Sequence, residues 1–432
     1  MKEAYQYLKL SGDKASRSYS NWEAFRFYKE AINILNQMPE TEENERRGIE
    51  VRLSVEGPMK VLAYPEDSLQ ILQEGERLSK EVGDRRSLAT FYGSIGLYYS
   101  FRGDSAQGIE YSEKSFEEAQ KIEDIDLAAP IGFDLCSSYT LAGEYIKVVE
   151  VAPRVVSLLE KTHRESDFFG VSFDFNLYSA LSVYYGHAMA WLGKFPQGEA
   201  LCEKGLRFAH QVDNLYSIAF AEVMYGMLFN VKGDGKNTVK HLQEAVRYGE
   251  EGQIIPLLGM AHCGLGWGYN LLEDPQTAQK HLETGIRILR DSGLSFLLSY
   301  QYLGLGMVHF DSGDLGNAQS CWEEALKSAQ ANAERWMEGI SRTCLGRVLG
   351  HGKKSQGGIA EKSILEGIEI LNKLRLRPWS ARGYYFLGEL HADMGQREKA
   401  LETLQKARGM LQEMGMDYWL ARTEKALQKL RG

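Results

Sequence analysis

Cysteine is sparse in this chain and never paired: the five stand at 136, 202, 263, 321 and 344, with no CxxC spacing among them. A disulfide framework or a zinc site needs close or paired cysteines, so neither is expected. Each of the five instead falls on an apolar stripe as a small buried side chain. Proline is scarce as well, nine in 432 residues, which leaves room for long helices. No window approaches the ~18 uninterrupted apolar residues of a transmembrane helix. Dense runs of Lys or Arg are missing and the net charge is −9. Sequence-independent binding to nucleic acid and adhesion to an anionic membrane are therefore disfavoured. The opening MKEAYQYLKLSGDKASR has no apolar signal core and already reads as helix. The expectation is a cytoplasmic chain in which Met1 is a cut point within a longer protein.

Catalytic motifs are missing too. GLGWG (264–268) and GLGMVH (304–309) echo a dinucleotide-binding loop, but no strand precedes them and no ribose-binding acid follows. KGDGKNT (232–238) has Asn230 where a phosphate-binding loop needs its first glycine and Asn237 where Ser or Thr should follow Lys236, so it reads as a polar turn. The nine histidines include no HExxH and no pair at i, i+4, and no Ser, Cys or Thr lies in a nucleophile elbow. No catalytic residue, metal or cofactor is expected.

What the chain does contain is one unit written many times. GLGWGYNLLEDPQTAQKHLETGIRIL, from Gly264, is followed one period later by YLGLGMVHFDSGDLGNAQSCWEEALKSA. Taking the small residue three before the Tyr position as a marker, the series runs Gly12, Ser54, Gly96, Cys136, Gly186, Gly226, Gly266, Gly306, Gly346 and Gly388. Its steps are 42, 42, 40, 50, 40, 40, 40, 40 and 42, which defines ten units. A fixed period in the range of ~20–50 residues signals an array in which each unit touches only its neighbours. Within a unit, one apolar stripe precedes and one follows a turn glycine: Gly103, Gly143, Gly193, Gly233, Gly313 and Gly395. Both stripes have helical spacing, and a glycine in the left-handed conformation ends the first helix, so the unit is a helical hairpin.

A small residue, a Tyr-like residue, a turn Gly and two later alanines, as in Gly306, His309, Gly313, Ala318 and Ala325, resemble the tetratricopeptide (TPR) repeat in a long-helix form of about 40 residues. The resemblance implies an all-α, right-handed superhelical solenoid of about ten antiparallel helical hairpins plus a C-terminal capping helix. Repeats 1–4 are expected over 1–160, an inserted connector over 161–177, repeats 5–10 over 178–416 and the capping helix over 417–432. The second repeat is degenerate, with a kink expected at Gly57-Pro58, and two residues are inserted at GHGKKSQGG (350–358). The opening LKLSGDKASRSYSNWEAFRFYKEAINIL and the ending MGMDYWLARTEKALQKL look like the C-terminal TPR region of bacterial signalling ATPases, many of which carry an adenylate or guanylate cyclase domain. A regulatory, signal-receiving module is what that resemblance implies.

In TPR arrays the first helix of each unit lines the concave surface. The corresponding positions are Phe220, Val223, Met227 and Asn230 in the sixth unit, and Met260, Cys263, Trp267 and Asn270 in the seventh. In the eighth they are Tyr300, Leu303, Met307 and Phe310. The groove is thus apolar in the middle, with polar flanks at Ser137, Thr140 and His187 and at Thr343, Arg347, Arg382 and Glu389. Such a surface fits a protein or peptide partner, an amphipathic helix or an extended segment, with Asn230 and Asn270 placed to bond its backbone. The Lys and Asn pattern of the clamp that grips acidic chaperone tails is missing. Two alternatives stay open: these side chains form the packing core of a tight superhelix, or they enclose a small-molecule sensor pocket around Trp267 and His187. The inserted segment, with Phe168, Phe169, Phe173 and Phe175, either caps the groove or fills a gap.

Overall fold

The structure is a computed structural model that describes residues 1–18, 20–62, 64–102, 104–169, 175–292, 298–351 and 356–431. The described residues form 22 helices and no strand. Each repeat is an antiparallel pair. The first hairpin is α1 (Lys2–Arg17) with α2 (Asn21–Leu35), and the second is α3 (Glu42–Ser54) and α4 (Glu56–Val61) against α5 (Ser68–Glu81). Then come α6 (Arg85–Phe101) with α7 (Ser105–Ile122), α8 (Ile125–Ala142) with α9 (Tyr145–Lys161), and α10 (Leu177–Trp191) with α11 (Phe195–Gln211). The sixth to eighth are α12 (Leu215–Lys232) with α13 (Gly235–Glu251), α14 (Ile255–Leu271) with α15 (Pro275–Asp291), and α16 (Leu298–Asp311) with α17 (Leu315–Ala331). The last two are α18 (Arg335–Gly350) with α19 (Gly357–Lys373) and α20 (Arg377–Asp393) with α21 (Arg397–Met414), followed by the single helix α22 (Asp417–Arg431).

The marker glycines set how closely the two helices of a pair approach. A Cβ built on Gly266 would lie 2.4 Å from Leu282 Cγ, and one on Gly306 would lie 2.3 Å from the Trp322 indole nitrogen. Second helices begin at a recurring cap: Asp104, Asp234, Asp274 and Asp314 each accept a bond from the backbone N–H three residues on. KGDGKNT is therefore a hairpin turn, with Gly233 left-handed and Asp234 capping α13. Of the turn glycines, Gly143, Gly193, Gly233, Gly313 and Gly395 have positive φ, and Gly103 lies outside the described residues. The seventh unit has Glu273 at that position, and it takes the left-handed conformation without being glycine (φ 61°).

The irregular stretches have local causes. Val55 interrupts the first helix of the second repeat, and Pro58 then stands in the first turn of α4, where its missing N–H has no intrahelical partner to lose. Of the inserted segment, Gly170 to Asp174 lie outside the described residues, Phe173 among them. Phe168 is exposed and Phe175 is buried against Phe133 at a ring separation of 4.9 Å. Residues 352–355 of the second insertion also lie outside the described residues.

Contacts divide the chain into two compact units, Met1–Ser138 with Leu158–Leu177, and Tyr139–Ser157 with Tyr178–Gly432. The division runs through the fourth hairpin. The first unit has a core around Tyr5, Tyr28, Ile32, Met59, Tyr64, Leu72 and Phe91. In the second unit the first helices α12, α14, α16, α18 and α20 touch one another in succession, so they form its inner layer.

Candidate binding site

Three of the clustered tryptophans, Trp267, Trp336 and Trp379, stand on the inner layer of the second unit, with Trp191 on α10 and Trp419 on α22. Tyr145 lies flat on Trp191 at 5.0 Å and Trp191 meets Trp336 edge-on at 5.1 Å. Trp336 leans on Tyr300, which is stacked on Trp267 at 5.2 Å, and Trp267 meets Trp379 edge-on at 6.3 Å. One aromatic chain thus runs from the fourth hairpin to the tenth. Such pairs contribute about 0.5–1.5 kcal/mol each beyond the area they bury.

This chain forms because the stack meets itself after five hairpins. Trp336 of the ninth hairpin sits against Gly143, the turn glycine of the fourth, and its indole N–H donates to the Leu141 carbonyl at 3.0 Å. Met414 and Arg377 of the tenth hairpin fill the corresponding space at Gly193 of the fifth. Tyr418 and Trp419 of α22 do the same at Gly233 of the sixth. α22 thus stands where the first helix of an eleventh hairpin would. It closes the stack through its buried Trp419, Thr423 and Leu427 rather than only by a polar outer side. Its Arg422 also reaches Asp311 of the eighth hairpin at 3.4 Å.

Arg382, at the start of α20, is the buried cation of this region. It is 1 % exposed and lies between the Trp379 ring at 4.2 Å and the Trp419 ring at 4.5 Å. Its Nη2 donates to the carbonyls of Val231 at 2.8 Å and Asn230 at 3.4 Å, near the C-terminus of α12, where the helix dipole favours a positive charge. Burial pulls the guanidinium down to about 10, and no carboxylate among the described residues pairs with it. A second buried arginine, Arg347, is paired with Glu389 at 3.0 Å and packs on Phe310 and Phe386. His187 accepts from the Trp191 indole at 3.0 Å, and burial pushes it down to about 3, so it is neutral.

The ten expected groove residues separate into three groups. Asn230, Trp267, Asn270 and Met307 come together and line one small internal cavity of about 10 Å³, with Tyr300 stacked behind. That volume is about what one water needs. Phe310 stands apart under Arg347 and beside Trp322. Val223, with Phe220, Met227 and Met260 partly buried around it, packs into the core between the sixth and seventh hairpins. The two asparagines are engaged within the chain: Asn230 accepts from Tyr300 Oη at 3.4 Å, and Asn270 donates to Asp311 at 3.0 Å.

Sequence reasoning left out Trp191, Trp336, Trp379 and Trp419, and placed Arg382 only in a polar flank. The available signal was that four of the seven tryptophans fall on first helices of hairpins five to ten. It also missed a histidine pair, His262 and His281, whose Nδ1 atoms lie 3.0 Å apart; burial lowers both. Among the described residues no three metal-ligating side chains converge, and no helix is long and apolar enough to cross a membrane.

Comparison with known proteins follows the same lines. Residues 381–407 match the tetratricopeptide repeat. They cover most of α20 and the first half of α21, including Arg382. The fold of the TPR-like chain is similar to that of a Rap protein complexed with Competence and Sporulation Factor (TM-score 0.55, 12% identity, 96% of this chain and 99% of that one). A signal transduction ATPase with numerous domains, with a tetratricopeptide repeat sensor, from Pyrococcus horikoshii aligns at a TM-score of 0.47 and 13% identity over 94% of this chain and 64% of that one. Aspartyl phosphate phosphatase F from Bacillus subtilis aligns at 0.41 and 13% over 94% and 93%. A search of the curated proteins finds no sequence relative.

Proposed function

We propose that the chain is a non-catalytic, signal-receiving helical repeat module, the regulatory part of a larger signalling ATPase or cyclase, which binds a protein or peptide on the inner layer of its second unit. The observation that carries this reading is the concentration of buried donors without partners on that layer. The indole N–H groups of Trp267 and Trp379 and Nε of Arg382 have none within the chain. A buried polar group without a match costs about 1–3 kcal/mol, so donors left over by the chain's own contacts are ones that a bound partner can match. The Rap protein of similar fold, itself in complex with a factor, supports the analogy. α22 occupies the surface in the unliganded chain, so a partner binds by displacing Trp419.

Selection from a random-peptide library tests this on the intact chain and on Trp419→Ala. Selected peptides are expected to bind the variant at least tenfold tighter and to photo-crosslink to α14 and α20. Crosslinks confined to other surfaces, or no selectable peptide for either protein, would count against it. A second reading, a small-molecule sensor, is favoured by one observation: Trp267 and His187 are both buried, so the interior is closed rather than an open groove. In that case a metabolite, and no peptide, opens it.

A further inference from the structure

We infer that the outward face of α1 is a self-association surface on which a second copy of this chain docks, α1 against α1 in antiparallel register. The face is defined by what α1 leaves uncovered. Tyr5, Gly12 and Ala15 are buried on one side of the helix, towards α2 and α3. Glu3, Tyr7, Leu10 and Lys14 recur at helical spacing on the opposite side, and all four are exposed. Tyr7 is 69 % and Leu10 67 % exposed, one turn apart. The outermost helix of a repeat array normally turns a polar side to solvent, as α22 does with Lys425, Gln428 and Lys429. α1 instead turns out a large aromatic and a large aliphatic side chain.

The charges on this face select its occupant. Lys2 pairs with Glu43, and Lys9 with Asp13 and Glu50, whereas Glu3 and Lys14 have no ion-pair partner among the described residues. The acid stands at one end of the stripe and the base at the other, with Tyr7 and Leu10 between them. A twofold dimer sets the same patch against itself. With the two helices parallel, Glu3 would meet Glu3 and Lys14 would meet Lys14. Antiparallel, about an axis between Leu8 and Lys9, Tyr7 meets Leu10 of the second copy and Glu3 meets its Lys14, in both halves of the dimer at once. Steps of four, three and four residues along the stripe are those of a seam between two packed helices. The face is thus complementary to its own rotated image. One such helix pair falls in the class of interfaces under about 1,200 Å², so the association is weak and depends on concentration.

Sedimentation equilibrium on the whole chain, over a concentration series reaching the high micromolar range, tests this. The wild type is expected to dimerise reversibly, and less strongly as salt is raised. Glu3→Lys and Lys14→Glu should each weaken the dimer at least fivefold, because each sets like charges opposite one another at both ends of the seam. Mixing the two variants brings opposite charges together again at both ends, so a heterodimer about as tight as the wild-type dimer is expected. A substitution that only frayed α1 would not be rescued in this way. Tyr7→Ser combined with Leu10→Ser should remove the dimer and leave the helical circular dichroism unchanged. A wild-type chain that stays monomeric across the series would overturn the proposal. So would a dimer that is indifferent to Lys14→Glu, or one that mixing does not restore, since either would place the interface on another surface. The signal-receiving reading rests on the second unit and stands or falls separately.

Discussion

Glu334 is the residue at which burial and charge conflict most plainly. It precedes α18, is 7 % exposed, and accepts from Ser299 Oγ at 2.6 Å. Burial pushes its carboxyl up to about 7, against a bond from Ser299 that holds it down. A folded value above the unfolded one means that the native state binds the extra proton. The stabilisation is complete below the unfolded value near 4.5 and is lost as pH rises through about 7. Over that window the loss is on the order of 3 kcal/mol. Glu334→Gln should therefore gain stability relative to wild type between pH 5 and about 8, read as the difference in denaturant midpoints at each pH. A difference that does not change with pH would show that the carboxyl is ionised throughout. His187 acts in the opposite direction, its contribution being lost as pH falls below 6.5 towards about 3, and it cancels in the comparison because both proteins carry it.

At the scale of the element, the turn glycines look alike in sequence and are not alike in structure. Gly143 and Gly313 both have φ near 80°. A Cβ on Gly313 meets nothing within 4 Å, whereas one on Gly143 would lie 2.5 Å from Trp336 Cγ. Alanine costs about 1–2 kcal/mol at either position for the left-handed backbone. At Gly143 displacement of a packed ring adds about 1–3 kcal/mol. Gly143→Ala should thus be the more destabilising of the two in urea unfolding by at least ~1 kcal/mol, and equal losses would mean that Trp336 does not seat there. The hairpins themselves were legible: periodicity, marker glycines and turn glycines are all local signals, as Gly266 against Leu282 illustrates. Which glycine also receives a side chain from five hairpins later was not legible, because that depends on the superhelical turn and not on any spacing within a repeat. For the same reason Val223 reads as groove in the repeat pattern and is found in the core, while Trp336 reads as unremarkable and is central.

For the molecule as a whole, the second unit is a stack closed on its own interior. The sequence signalled an aromatic, Met-rich inner stripe and left open whether a ligand or the chain itself would fill it. Trp267 and Tyr300 are packed by Trp379 and Trp336 of later hairpins, Met307 shares a cavity wall with α22, and Trp336 itself bonds Leu141, 195 positions away. No periodic pattern encodes so distant a pairing. The closed interior makes one direct demand on the ligand-free protein. Of the seven tryptophans, Trp22 is the exposed one, at 65 %, and it lies in the first unit. Acrylamide quenching of the Trp22→Phe variant measures access to the other six. The closed stack predicts emission that is quenched many-fold more slowly than free tryptophan, with the fast component of the wild-type protein gone. Ready quenching of the variant would mean that the interior stands open to solvent, and would contradict the account.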